Sequence, residues 1–439
     1  MITKILKQIW NQRRMNSWIF LEIIIAGFFL WTVIDPMYVL MATHLEDKGY
    51  EEKGRYVMKL GAYGQNHGDR DTTLTADQRK EAFLRITKLM GEQPEVEAHY
   101  ICLNYSLPNG GSWSGSSLFT DTTGLTRENF ESKMIHTQYW NYYAAPGTDI
   151  FRTLGMKDAT TGEEMKMPEK PSYFFVSEAI AKKAFGTAQA VGKKLFAGNS
   201  YITIDGVFKD IKTCDFQLSY PLYLNIDFGI RMHDFTHLTT LVIFRLKDGV
   251  DFDTFEARFR KEVAPHMKQG NFYFDSFQPL SELRVEMGNR NGVYNKLRLK
   301  LSLASFTLLC IFLGMLGTFW IRCNARRQEI GLMRSMGATE GRVSKQFLTE
   351  AALLITAGFL LSLVLVVNFV VMTDGMTQPD FSGSDLANTI PNPWLASKVQ
   401  FGIVSLITYL ALLVIALIGT LIPVRRAVKV LPADALRDE

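Results

Sequence analysis

Apolar residues gather into four long stretches, at 17–40, 297–321, 347–372 and 401–424. A helix rises about 1.5 Å per residue and needs roughly 20 residues to cross the hydrocarbon core of a bilayer, so each stretch is long enough to be a span. Glu22 and Asp35 interrupt the first stretch, Glu350 stands near the start of the third, and the fourth carries no charge. Lys4, Lys7, Arg13 and Arg14 precede the first stretch as a signal peptide's basic segment would. The stretch outruns an h-region of about 7–15 residues, and no small-x-small cleavage site follows, so it is expected to stay as an uncleaved span.

The polar segment at 41–296 has no membrane-length apolar run and reads as a folded α+β domain. Period-two and period-3.6 patterns predict a strand at 54–62, a helix from a Thr75/Gln78 capping box to about 90, and a strand at 96–105. The same order recurs as a strand at 239–246, a helix at 251–263 and a strand at 272–277. The two β-α-β units suggest two small α+β lobes. Between them the pattern predicts a strand at 173–176, a helix at 177–185 and a strand at 201–208, and Ser112 to Ser117 reads as a polar turn.

Basic residues orient the spans. Arg322, Arg326, Arg327, Arg334, Arg342 and Lys345 fill the loop after the second span, and Arg425, Arg426, Lys429 and Arg437 the tail. The loop at 373–400 holds only Lys398 against Asp374, Asp380 and Asp385. The positive-inside rule then puts both termini in the cytoplasm. The expected order is a cytoplasmic segment 1–16, span 17–40, extracytoplasmic domain 41–296, span 297–321, cytoplasmic loop 322–346, span 347–372, outer loop 373–400, span 401–424 and cytoplasmic tail 425–439.

Composition agrees with this mixture. Over 439 residues the mean hydropathy is +0.02, with 47% hydrophobic and 21% charged residues. That is too apolar for disorder, and 4 Cys are too few for a disulfide scaffold. A net charge of +4 over this length gives no sign of a nucleic-acid partner.

Catalytic signatures are near misses. Gly186 to Lys194 resembles a phosphate-binding loop, but five residues separate Gly186 from Gly192, and Lys194 stands where Ser or Thr must reach magnesium. A structural turn is the better reading, and this chain is expected neither to hydrolyse ATP nor to bind a cofactor. His44, His67, His99, His136, His233, His237 and His266 are scattered. His233 and His237 have the i,i+4 spacing of metal ligands, but lack companions and read as a solvated loop. The serines of the 112–117 turn have no nearby base. Cys102 and Cys214 fall on the oxidising side, where a disulfide between them is a matter of geometry. Glu22 and Glu350 lie near the cytoplasmic ends of their spans, where local pairing with Arg or water competes with helix–helix contact in an assembly.

The cytoplasmic loop mixes Arg326, Arg327, Glu329, Arg334, Glu340 and Arg342 with Ile330, Leu332, Met333 and Met336. The pattern predicts a short amphipathic helix continuing from the second span and broken at Gly337 and Ala338, then a second helix into the third span. Such a loop serves either as a docking surface for a cytoplasmic protein or as a basic anchor on lipid headgroups.

Glu329, Ile330, Gly331, Arg334, Gly337, Ala338, Phe347, Glu350 and Ala351 resemble the signature of the MacB/FtsX family of ABC permeases. Pro423, Arg425, Arg426 and Ala427, followed by Leu431 to Arg437, are similar to that family's ending. Val176 to Gly186, Val191 to Lys193 and Ile204 to Asp210 resemble the MacB-type periplasmic core domain. The first lobe, at about 50–150, matches least clearly. The resemblance implies a membrane protein of four transmembrane helices, with a large extracytoplasmic domain of porter-like and small β-rich lobes between the first and second. It implies ATPase coupling through Arg326, Arg327, Glu329, Ile330, Gly331, Met333, Arg334, Gly337 and Ala338.

The implied setting is the inner membrane of a bacterium. Two cytoplasmic ABC ATPase subunits, separate from this chain, would bind ATP and magnesium, and a second permease copy or paralogue would complete a dimer. A periplasmic adaptor and an outer-membrane channel are further implied partners. The expected function is mechanotransmission: ATP-driven motion reaches the periplasmic domain and extrudes a peptide, lipoprotein or toxic small molecule. The alternative is an FtsX-like regulator that transports nothing and activates a periplasmic partner such as a cell-wall hydrolase.

Overall fold

The computed structural model describes residues 13–103, 108–109, 114–167, 174–227, 240–373, 375–379 and 389–428. His233 and His237 lie outside the described residues.

In chain order the elements are α1 (Arg13–His44), β1 (Arg55–Ala62), α2 (Ala76–Gly91), β2 (Val96–Leu103), β3 (Ser114–Phe119), β4 (Ile135–Tyr143) and α3 (Ile150–Leu154). There follow β5 (Phe174–Ser177), α4 (Glu178–Phe185), β6 (Lys194–Ala197), β7 (Ser200–Thr203), β8 (Gly206–Phe208), β9 (Leu222–Asp227) and β10 (Thr240–Leu246). The chain continues through α5 (Phe252–Glu262), β11 (Phe272–Pro279), α6 (Leu280–Arg290), α7 (Val293–Ala325), α8 (Arg327–Ser335), α9 (Glu340–Met372) and α10 (Ser397–Val428). They form two compact units. One comprises Met1–Ala42, Tyr294–Pro379 and Asn392–Glu439, the other Thr43–Val293 and Asp380–Pro391.

In the second, sheet-rich unit, four antiparallel strands run in the order β11-β1-β10-β2. The two β-α-β units therefore do not build separate lobes. Each leaves a strand-wide gap that the other fills: β10 lies between β1 and β2, and β1 lies between β10 and β11. This is the split arrangement of ferredoxin-like domains. Alternation serves both faces. Met58, Ile101, Val242 and Phe244 pack with Phe83 and Ile86 of α2 and Phe255 and Phe259 of α5. Val57, Tyr100 and Ile243 point the other way, towards Trp140, Phe151 and Leu283. Thr75 caps α2 in a full capping box, as the sequence predicts.

The sheet continues through β4, β3, β6 and β7, with β9, β5 and β8 branching from β4. α4 closes the core of this part with Ile180 and Ala181 against Phe174, Val176, Leu195 and Val207. Two expectations change here. Ser114 to Ser117 form strand β3, paired with β4 and β6, because tertiary pairing outweighs local turn preference. The strand at 201–208 is two strands: β7 pairs with β6 and β8 with β5, and the Asp205 carboxylate between them accepts the Phe174 N–H at 3.0 Å.

In the other unit, α1, α7, α9 and α10 are long and apolar enough to cross a membrane. Their shared core brings Ile19, Ile23 and Leu30 of α1 against Ile311 and Met315 of α7, Ile355 and Phe359 of α9, and Leu412 and Ala416 of α10. Asp35 is buried and satisfied: the Gln400 side-chain amide donates to it at 2.8 Å and the Thr377 backbone N–H at 3.2 Å. Glu22 is half-buried and lies against Gly314, where a Cβ would fall 1.7 Å from its Oε1.

Candidate functional site

The most chemically distinctive cluster lies where α7, α8 and α9 meet. α7 ends at Ala325, Arg326 turns the chain at φ −109°, and α8 begins at once. α8 stops in a Schellman turn: Ala338 N–H donates to Met333 O and Gly337 N–H to Arg334 O, both at 3.0 Å. Gly337 adopts φ +89°, a left-handed conformation that glycine takes without a Cβ penalty. Thr339 then caps α9 by accepting the Arg342 N–H at 3.3 Å.

Charges lock the inner side of this turn. Arg326 donates Nε and Nη2 to Glu329 at 2.7 and 3.0 Å, and Nη1 to Glu350 at 3.0 Å. Arg322 donates to the other Glu350 oxygen. Arg322, Arg326 and Glu350 are all buried, and the exposed Glu329 supplies the second carboxylate that balances the two cations. Phe347 covers the Arg326 guanidinium at 4.6 Å from the ring centroid. Burial alone would lower the Arg326 pKa; the hydrogen bonds it donates to Glu329 and the charge of Glu350 outweigh that effect and hold the group above its ordinary value. For Glu350 the structure favours the local-pairing reading.

The sequence-nominated residues divide by side. Ile330 and Gly331 are buried, with Ile330 in a cluster with Cys323, Val343, Phe347, Val424 and Val428. Met333 and Ala338 pack partly against it, and Arg327 and Arg334 are half-buried, Arg334 donating to Glu340 at 3.3 Å. Gly337 is exposed in the turn. The outward face belongs to residues absent from that set. Leu332 is 52% exposed and Met336, one turn on, 71% exposed, with Gln328 and Ser335 beside them. Their i,i+4 spacing was the available signal; which side of α8 they occupy depends on α9 and α10.

A second cluster is internal to the sheet-rich unit. The fully buried side chain of Asp215 lies 2.8 Å from His44 Nδ1, 3.5 Å from Arg284 Nε and 3.9 Å from Lys48 Nζ. Asn109 accepts the Asp215 backbone N–H at 2.9 Å. Nearby, buried Lys212 donates to the Thr43 carbonyl and pairs with Glu46 at 3.3 Å. Burial pushes the Lys212 ammonium down, against the charges of Glu46 and Asp215. Cys214 is a buried free thiol, pushed up by burial, while the Cys102 side chain lies outside the described residues.

Gly186 closes α4, and Lys194 opens strand β6. A strand follows the glycine-rich turn, so no helix N-terminus faces it as a phosphate cradle requires. Among the described residues no three His, Cys, Asp or Glu side chains are grouped as a metal site.

Residues 301–432, which contain the whole α8 cluster, match the model of the FtsX-like permease C-terminal family. The chain is 24% identical over 267 residues to the uncharacterized ABC transporter permease YknZ of Bacillus subtilis, covering 60% of this chain and 61% of that protein. It is 24% identical over 298 residues to the macrolide export ATP-binding/permease protein MacB of Chromobacterium violaceum, covering 67% of this chain and 42% of that one. The chain thus spans less than two thirds of either relative. Among solved structures, the periplasmic region of MacB from Actinobacillus actinomycetemcomitans matches with a TM-score of 0.32 and 12% identity, over 56% of this chain and 98% of that one. The extracellular domain of the noncanonic transporter YknZ matches with a TM-score of 0.28 and 12% identity, over 50% of this chain and 100% of that one. The chain is built as a membrane protein: four helices are long and apolar enough to span, and in sequence the sheet-rich unit is inserted between the first of them and the other three.

Proposed function

We propose that the chain is the membrane subunit of an ABC transporter of the MacB/FtsX type, in which α8 receives the motion of an ABC ATPase. The sheet-rich unit then lies outside the cytoplasmic membrane, both termini lie inside, and the outer unit moves to extrude a substrate. The observation that carries this reading is the two-sided build of α8. Leu332 and Met336 form an exposed apolar pair, while the opposite side is locked to α9 by Arg326, Glu329 and Glu350. An apolar pair ringed by polar residues is the composition of an interface anchor. The locked rear lets a push on α8 reach α9 without being lost in side-chain motion. ATP and magnesium belong to the partner in this scheme.

The test is capture of the cognate ABC ATPase by the full chain in detergent, with Leu332→Glu and Met336→Glu as variants. Loss of capture, with the variants still folded, supports the reading; unchanged capture and unchanged stimulation of ATP hydrolysis remove α8 as the contact. Substrate efflux in cells lacking the chain then separates export from regulation: normal efflux with a cell-wall defect would favour the regulatory alternative.

A further inference from the structure

The inner ends of α7 and α10 differ from the α8 cluster in one respect. Arg322, Arg326 and Arg334 each find a carboxylate within the chain. Arg425 and Arg426 are exposed, and among the described residues neither is paired with a carboxylate. Arg426 lies instead over the Trp320 ring of α7, its guanidinium carbon 5.4 Å from the centroid. Trp320 is itself 41% exposed.

Arg426 continues an outward apolar row. Val414, Ile418 and Ile422 are exposed at i,i+4 spacing on α10, and Arg426 is the next position. α7 runs close beside this row: a Cβ at Gly419 would fall 3.2 Å from the Phe312 carbonyl. An exposed apolar row that ends in a tryptophan and two arginines with no carboxylate partner among the described residues has the layering of a membrane interface: acyl chains, then the headgroup level where tryptophan is enriched, then phosphate. Arginine suits the last layer, because its planar fork can hold two phosphate oxygens at once while its face stacks on an aromatic ring.

We propose that Arg426, laid on Trp320 and flanked by Arg425, binds the phosphate of an anionic phospholipid whose acyl chains lie along the α10 row. A membrane lipid, rather than an acidic protein, is the occupant because the charge stands at the end of an outward apolar row and lies over an exposed tryptophan ring. The inference rests on the four helices spanning a bilayer and is independent of any role for α8.

The experiment uses the purified full chain in neutral detergent. Bound lipid is counted by native mass spectrometry, and the thermal midpoint is followed as phosphatidylglycerol, phosphatidylcholine or inorganic phosphate is added. Phosphatidylglycerol is expected to bind and raise the midpoint, and the other two to leave it unchanged. R426Q should weaken phosphatidylglycerol binding about fivefold, the contribution of one arginine at an anionic surface. R342Q removes an exposed arginine elsewhere on the same unit and should bind as the parent does. W320L, which keeps both charges, should bind more weakly than the parent. Equal losses in R342Q and R426Q would mean diffuse charge and overturn the proposal. So would a phosphate response equal to that of phosphatidylglycerol, or R426Q retaining lipid while losing capture of a protein partner.

Discussion

Arg326 donates Nη1 to Glu350 at 3.0 Å, tying the residue that turns the chain into α8 to the first buried turns of α9. The carboxylate of Glu350 is shared with Arg322, so one side chain bridges two buried cations. Removing one partner of a buried ion pair costs about 3–5 kcal/mol, because the remaining charge stays desolvated. Glu350→Ala should therefore destabilise the chain by an amount of this order, read from denaturant unfolding in detergent. Hydrogen exchange should rise across α8. Glu350→Gln, which keeps the shape and loses the charge, should lie between the two.

Leu332 and Ile330 sit on opposite sides of α8 and should separate binding from folding. Leu332 is exposed, so Leu332→Ser should change stability by no more than about 0.5 kcal/mol while lowering ATPase capture. Ile330 is buried against Phe347 and Val424, so Ile330→Ala should cost about 2–4 kcal/mol. Paired measurements of unfolding and capture on the two variants check this. Similar stability losses at both positions would contradict the assigned faces.

Asp215 gathers His44, Lys48 and Arg284 from separate stretches of the chain within the sheet-rich unit. Asp215→Ala should cost about 2–3 kcal/mol. That is below the full cost of a broken buried pair because His44, Lys48 and Arg284 are partly exposed and can rehydrate. The local signature is faster amide exchange near Asn109, whose side-chain oxygen accepts the Asp215 N–H. Asp215→Asn should be milder, since an amide oxygen still accepts from Arg284.

His99 makes the sheet-rich unit sensitive to acid. Burial on β2 holds its imidazole down at about 4, against 6.5 for a free histidine. Because the native state resists protonation, the unfolded chain binds the extra proton between these values. Stability from this residue is complete above pH 6.5, is lost as pH falls towards 4, and levels off below that. The full loss is about 3 kcal/mol. Thermal midpoints of the parent and His99→Gln, measured in detergent from pH 7 to 4, should converge as pH falls.

Periodicity and charge placement were enough to identify the four apolar helices, the amphipathic helix before Gly337, its glycine stop and the β-α-β units; the break at Arg326 that separates that helix from the second span was not legible. These are local properties: helix length, i,i+4 spacing, a capping box, a residue that tolerates positive φ. They also sufficed for the resemblance to the permease family. Tertiary structure decided what depends on partners distant in the chain. Each β-α-β unit is legible by itself, but only sheet pairing shows that β10 separates β1 from β2. β3 was hidden because Ser114, Gly115, Ser116 and Ser117 are turn residues by local preference, and pairing with β4 and β6 makes them a strand. In α8, Ile330 and Leu332 are both apolar and two positions apart, so sequence alone assigns neither to the inside. Packing against Val424 and Val428, nearly a hundred residues later, buries Ile330 and leaves Leu332 exposed. Burial is a property of what covers a side chain, and the cover here comes from helices that periodicity describes one at a time.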